Sequence, residues 1–354
     1  MANIYEFLEI CAKEGASDMH VSAGIPPILR KNGAFKPVTR ERLSAEAVKA
    51  LLVPLLNEER AEEFNKMGQV DFAVSVSTGD RFRVNIYREQ GNYAGAFRLI
   101  NSKVPNYQSL GLPDIITSFA MENNGLVLVT GATGSGKSTS LAAMIDYANT
   151  KRNSHIITIE DPVEFVHTHK KCIVHQREIG RDTDSFAGAL RAALREDPDI
   201  IQVGEMRDYE TISTALTAAE TGHLVMSTLH TTGVVSTIDR MIDVFPPSQQ
   251  QQARVQLSMS IKGIMNQRLI PRKDGIGRVA AIEVMVATPA IRHLIREAKT
   301  HQIYNTMITS KGFGMKTMDN ALAELYSRDL ITLDMVKFNC NDEDYVMKLI
   351  AGLG

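Results

Sequence analysis

Leu126-Val127-Leu128-Val129, followed through Thr130 by Gly131-Ala132-Thr133-Gly134-Ser135-Gly136-Lys137-Ser138-Thr139, is the stretch on which the reading of this chain turns. Four consecutive apolar residues describe a strand buried on both faces. The nine residues that follow fit G-x-x-x-x-G-K-[ST], a loop built to close around phosphate. Gly131, Gly134 and Gly136 let the main chain turn its N–H groups inward, with Thr133 and Ser135 carried between them. Lys137 supplies a point charge for β- and γ-phosphates, and the Ser138 hydroxyl suits Mg²⁺. A helix predicted over 139–148, opening at Thr139, aims its positive end at the anion. ATP with Mg²⁺ is the ligand pair this pattern implies.

Downstream, strand, loop and helix alternate. Ile156-Ile157-Thr158-Ile159, Ile200-Ile201-Gln202-Val203 and Leu224-Val225-Met226 are further short apolar runs, separated by helical text. Phe186, Leu190, Ala193 and Leu194 make one helix face, with Thr183 or Asp184 as its N-cap; Ile212, Ala215, Leu216 and Ala219 make another. This predicts an α/β domain with a largely parallel sheet. Upstream the period changes. Ile4, Phe7, Leu8 and Cys11 follow helical spacing, then Val70 to Val76 and Phe82 to Ile86 alternate around the turn Thr78-Gly79-Asp80, and Tyr93 to Ile100 adds a third strand. The expected organisation is a small α+β domain over 1–100, a linker over 101–114 rich in turn residues, and the α/β domain with a C-terminal helical region over 115–354.

Composition removes whole classes of function. The chain has 354 residues, 39 Lys+Arg against 41 Asp+Glu, and three cysteines. A net charge of −2 argues against a surface built to hold nucleic acid. Cys11, Cys172 and Cys340 are scattered and odd in number, which speaks against a disulfide framework or an intrachain four-cysteine zinc site and for a reducing cytoplasm. The longest apolar run, Ala50 to Leu56, is far short of the ~20 residues a membrane helix needs.

A phosphate-binding loop needs acids at the ends of neighbouring strands. Glu205, in Gly204-Glu205-Met206-Arg207-Asp208, stands after one strand, where it would hold the metal or its water. Glu160-Asp161-Pro162-Val163-Glu164 stands after another, with three carboxylates too close together for all to stay ionised without a cation. Glu164 would polarise the attacking water; the residues leave the division of labour between Glu164 and Glu205 open. His223 and His230 bracket the strand from Leu224, and His230, past its end, is placed to touch the γ-phosphate.

In combination, the loop Gly131 to Thr139, the box Ile159 to Glu164, the stretch Leu194 to Asp208 and the box Gly222 to Thr231 resemble the secretion-superfamily ATPases, the GspE/PilT family. Gly15-Ala16-Ser17-Asp18-Met19-His20 and Ala290-Ile291-Arg292-His293-Leu294-Ile295-Arg296-Glu297 are similar to the branch of that family that retracts type IV pili. The likeness runs nearly end to end. It implies a P-loop, RecA-like α/β ATPase domain joined to a smaller, PAS-like N-terminal domain, assembled as a homo-hexamer. It further implies nucleotide held between the two domains, with N-terminal arginines reaching the phosphates. Arg81 and Arg83 fit that role because Phe82, Val84 and Ile86 face the other way; Arg98 is a third candidate. The activity implied is ATP hydrolysis driving pilus retraction and twitching motility, at the cytoplasmic face of the inner membrane. The partners implied are a PilC-like platform protein and a paralogous retraction ATPase, with no zinc and no nucleic acid.

Two departures from the family pattern stand out. The tetracysteine zinc site and long N-terminal region of assembly ATPases are missing, which disfavours pilus extension. His293 replaces a usual Asn, and Ala298 a common Gly. In the helix expected over 289–299, Ile291, Leu294 and Ile295 should pack inward and leave Arg292, His293 and Arg296 available for coupling. The competing readings are a RecA-like nucleic-acid translocase or helicase, a pilus or secretion assembly ATPase, and a nucleotide switch without motor output.

Overall fold

The computed structural model describes residues 3–31, 33–100 and 104–353. They fall into two units, Met1–Lys103 and Val104–Gly354. Of the expected linker, 101–103 lies outside the described residues. The part from 104 onward is packed rather than loose: Leu112 is buried in the second unit's core, and the Tyr107 ring meets Tyr147 edge-on, 5.7 Å between centroids.

The first unit is an antiparallel sheet of six strands, β1 (Asp18–Val21), β2 (Ile28–Lys31), β3 (Ala34–Pro37), β4 (Gln69–Ser75), β5 (Arg81–Glu89) and β6 (Asn92–Ile100), in the order β3-β2-β1-β6-β5-β4. Its core gathers Phe82, Val84, Ile86 and Phe97 with Ile4, Phe7, Leu8 and Cys11 of the helix Ile4–Lys13. The expected alternation is therefore real, since every second side chain of β5 is buried under helices.

The second unit is a seven-stranded sheet of β7 (Gly125–Thr130), β8 (His155–Glu160), β9 (Ile173–Glu178), β10 (Ile200–Val203), β11 (Leu224–Leu229), β12 (Ile261–Pro271) and β13 (Arg278–Val286). The order is β13-β12-β7-β11-β10-β8-β9, with only the β12–β13 pair antiparallel. Leu126, Leu128, Ile157, Ile201 and Val225 fill the core on one face, while Val127, Val129, Ile156, Ile200 and Leu224 fill the other. Helices cover both faces, which is why these strands read as nearly continuous apolar runs. β7 ends the middle of the sheet at the phosphate-type loop, and β8, β10 and β11 end beside it.

Three local expectations are corrected. Ser185, not Thr183 or Asp184, caps the helix Phe186–Ala193, its hydroxyl accepting the Gly188 N–H at 3.1 Å; Thr183 is drawn into a bridge with Ile179. The helix after the loop spans Lys137–Lys151, beginning earlier than the spacing suggested because Gly136, at φ +89°, turns the chain directly into it. The third concerns the helix Pro289–Arg296. Ile291, Leu294 and Ile295 are buried as expected, but Arg292 is not available. Its guanidinium donates to the carbonyls of Ala287 (3.0 Å), Ser258 (2.9 Å) and Met259, tying this helix to the C-terminal end of the helix Gln250–Ser260. Burial pushes the Arg292 pKa down from its ordinary value.

The same helix explains why glycine is favoured just beyond it. Lys299 N–H bonds to Leu294 O at 2.9 Å and Ala298 N–H to Ile295 O at 3.2 Å, the paired closure of a helix whose next residue is left-handed. That residue is Ala298, at φ +56°, where a Cβ is strained. Ala298→Gly should raise stability by about 0.5–1 kcal/mol, glycine's greater unfolded-state freedom offsetting part of the relief. A urea midpoint lower than that of the unaltered chain would contradict this.

Candidate active site

Backbone geometry at the loop is what phosphate requires. Gly131 has φ +141°, and a Cβ there would stand 2.3 Å from the Gln267 carbonyl oxygen and 2.6 Å from Ser135 Oγ. Gly134 has φ +77° with open space before it. No side chain caps the helix Lys137–Lys151, whose N-cap is Gly136, so its first-turn N–H groups face the loop uncovered. Ser135 Oγ is buried and has no hydrogen-bond partner among the described residues. A buried hydroxyl of this kind in a glycine cradle fits a phosphate oxygen.

Lys137 is buried, and its ammonium donates to Gly131 O (2.9 Å) and Ala132 O (3.0 Å). Burial lowers its pKa, opposed by the charges of Glu205 and Glu164. Both candidate acids thus act on the same ammonium. Glu205 is fixed from two sides, by Arg207 Nε at 2.8 Å and His230 Nε2 at 3.3 Å. The other ring nitrogen of His230, Nδ1, lies 3.3 Å from Thr133 Oγ1. Loop, histidine and acid form one connected chain, Thr133–His230–Glu205. β11 holds it in place, with Thr228 Oγ1 donating to Gly204 O at 2.6 Å and Ser227 Oγ to Val203 O at 2.7 Å. His223 has no part in it, donating from Nδ1 to Ala218 O at 3.0 Å at the far end of the strand.

The acidic box divides by burial. Glu164 is exposed, on a segment held where Val163 N–H donates to Glu178 Oε2 at 3.1 Å. Glu160 is buried, and its Oε1 accepts from Thr158 Oγ1 (2.6 Å) and Gln176 Nε2 (3.1 Å). Burial pushes its pKa up to about 7. The crowding seen in the sequence is thus relieved at Glu160, which holds a proton over the range in which an ordinary carboxyl has lost it.

Arg81, Arg83 and Arg98 belong to the first unit. Arg81 is 9% exposed. Arg83 lies opposite Arg98 in the β5–β6 register; its Nε is 3.8 Å from Asp71 Oδ1, and Arg98 Nε donates to Asp18 Oδ1 at 2.9 Å. The two are therefore on one face of that sheet, each beside a carboxylate.

Several residues at the loop were not singled out by the sequence. Gln267 Oε1 accepts from Ser140 Oγ at 2.7 Å, and Asn266 Nδ2 donates to Thr130 Oγ1 (2.9 Å) and Thr231 O (3.2 Å). Arg278 Nη1 reaches Gly134 O at 3.4 Å. The signal for Asn266 and Gln267 is the polar interruption Asn266-Gln267-Arg268 in the run of β12, and Arg278 has none.

Among the described residues, no group of three or more His, Cys, Asp or Glu is placed to hold a metal ion, and no helix is long and apolar enough to cross a membrane. All three cysteines are free.

The buried proton of Glu160 gives a testable pH signature. With its folded pKa above the unfolded value, the native state binds the extra proton between about pH 4.5 and 7. That contribution is complete at low pH and is lost as pH rises through 7. Glu160→Gln keeps the carbonyl acceptor and removes the charge, so it should exceed the unaltered chain by roughly 1–3 kcal/mol at pH 8 and match it near pH 5. Equal differences at both pH values in urea titrations would exclude this.

Known proteins share this chain's sequence pattern and fold. The sequence model of the type II/IV secretion system protein family matches residues 96–328. The chain is 50% identical over 330 residues to the type IV pilus retraction ATPase PilT of Pseudomonas aeruginosa, covering 93% of this chain and 96% of that one. It is 47% identical over 305 residues to a twitching motility protein of Neisseria gonorrhoeae, covering 86% and 82%. A crystal structure of the pilus retraction motor PilT with bound ADP superposes with a TM-score of 0.92 at 46% identity, covering 98% of this chain and all of that one. Matched by the family's model over residues 96–328 and 50% identical to a relative over 93% of its length, the chain belongs to the type II/IV secretion system protein family.

Proposed function

We propose that this protein is an ATP-hydrolysing motor that retracts type IV pili and so powers twitching motility. The observation that supports this most is the linked chain Thr133–His230–Glu205 around the Lys137 ammonium, in a protein that aligns with a retraction ATPase over nearly its whole length. In this reading Lys137 and the loop N–H groups hold the β- and γ-phosphates so that water attacks the γ-phosphorus in line with the departing β–γ bridging oxygen, which leaves on ADP. Ser138 and Glu205 would hold Mg²⁺, which neutralises charge on the phosphate oxygens when bound. Glu164 or Glu205 orients the attacking water. His230, touching both Thr133 and Glu205, senses the γ-phosphate end of the loop. Arg81 and Arg83 would neutralise developing charge as arginine fingers do. The motor works as a homo-hexamer at the cytoplasmic face of the inner membrane, against a PilC-like platform protein, with a paralogous retraction ATPase as a further partner. His293 and Arg296, the exposed basic residues of the helix Pro289–Arg296, replace Arg292 as the side chains open to that partner.

Lys137→Ala should abolish ATP binding. Glu205→Ala should retain binding while kcat falls roughly 10²–10⁴-fold. Full turnover in Glu205→Ala would reject its assignment. In the source organism, deletion should leave cells bearing pili but unable to twitch; bald cells would indicate an assembly ATPase instead, and salt-dependent DNA shifts a translocase. The double change His293→Ala with Arg296→Ala should stop twitching with ATPase activity intact, and loss of both would mark the helix as structural.

A further inference from the structure

One wall of the phosphate loop's own cavity is left without a role by the chemistry above. The cavity measures about 460 Å³, within the usual range for a small-molecule site. It begins at the loop from Gly131 to Ser135 and extends along β12 to the C-terminal helical region, where Phe338 and Asn339 close it. Phe338, on the helix Leu333–Asn339, is 85% exposed. Leaving a large aromatic ring in water forgoes the gain from burying it, and here the ring shares a cavity with an anion-binding loop. Leu269 adds an apolar surface beside it, and Arg278 stands at the loop itself, 3.4 Å from Gly134 O.

Beside Phe338 the polar groups of this wall are turned into the protein, whereas Thr232 and Asn266, whose Oδ1 has no hydrogen-bond partner among the described residues, lie toward the phosphate loop. Arg268 donates to Asn339 O and to Asn341 Oδ1 at 3.4 Å, and the Asn339 amide donates to Met335 O at 2.9 Å. Gln267 Oε1 is engaged by Ser140. What remains to meet a flat ligand is a ring face and an aliphatic edge, flanked by a guanidinium.

We infer that Phe338, with Leu269 and Arg278, is the shelf on which the nucleobase lies, and that it holds the base by stacking and not by reading its hydrogen-bonding edge. The inference rests on the nucleotide reading of the loop and deepens it. Every base has a π-face, so stacking tolerates base identity while favouring the larger purines. Adenine and guanine nucleotides are therefore accepted with similar affinity, and a pyrimidine nucleotide is held more weakly.

The test is equilibrium binding of ATP, GTP, CTP and inorganic tripolyphosphate to the full chain and to Phe338→Ala and Phe338→Tyr. Phe338→Ala should weaken ATP and GTP about tenfold each, leave tripolyphosphate unchanged, and be rescued by Phe338→Tyr. Unaltered ATP affinity in Phe338→Ala overturns the shelf. So does an equal loss of tripolyphosphate, which would make Phe338 a structural support of the loop, or a strong preference of the unaltered chain for ATP over GTP. Failure of the unaltered chain to bind tripolyphosphate or ATP at all would instead overturn the nucleotide reading on which the shelf depends.

Discussion

Everything at the active site depends on how closely β12 approaches Gly131. The Gln267 carbonyl occupies the space a side chain at residue 131 would need, and the strand carrying it runs parallel to β7 from Ile261 to Asn266. The loop is clamped between that strand and its own helix, with Ser140 bonded to Gln267 and Thr130 to Asn266. A loop held this way has its N–H groups aimed before any anion arrives, and preorganisation of that kind lowers the reorganisation needed on binding. Lys137, His230 and Glu205 take their positions from the same frame.

His230 is the joint of the site. An imidazole is rigid, and its two nitrogens are separated by the ring itself, so contacts at Thr133 and Glu205 are mechanically coupled. With one ring proton in the neutral form, donating at one end makes the other end an acceptor. A shift of the loop at Thr133 is therefore passed on to the acid on the adjacent strand end, through side chains that β11 already anchors.

How much of this was legible in the sequence follows from what each pattern encodes. The glycine-rich loop and the four apolar runs of β7, β8, β10 and β11 were readable because two-sided burial leaves few polar interruptions, Thr158 and Gln202 being single buried ones. β12 was not, since Lys262, Asn266, Gln267 and Arg268 break its run; the last three engage the residues around the loop and the C-terminal region, while Lys262 pairs with Glu122. The four-residue strands β1 to β3 are too short to show a period. Arg292 illustrates a different limit. Helical spacing correctly placed Ile291, Leu294 and Ile295 inside, but it does not say that carbonyls of Ser258 and Met259, from an element far back in the chain, lie beside the next side chain. Glu160 was visible as a crowded carboxylate, whereas its burial and its two donors come from β8 and β9 lying side by side.

The grip of Arg292 also links its helix to the frame of the phosphate loop. Its guanidinium binds the last turn of the helix Gln250–Ser260, and that helix passes without a loop into β12 at Ile261. β12 in turn bears on the phosphate loop through Gln267. The Pro289–Arg296 helix is thus joined to the strand that crowds Gly131 both by this arginine and by the packing of Ile291, Leu294 and Ile295 into the core that holds Ala253 and Leu257, with one irregularity in the β12–β7 register between Ile261 and Gly263.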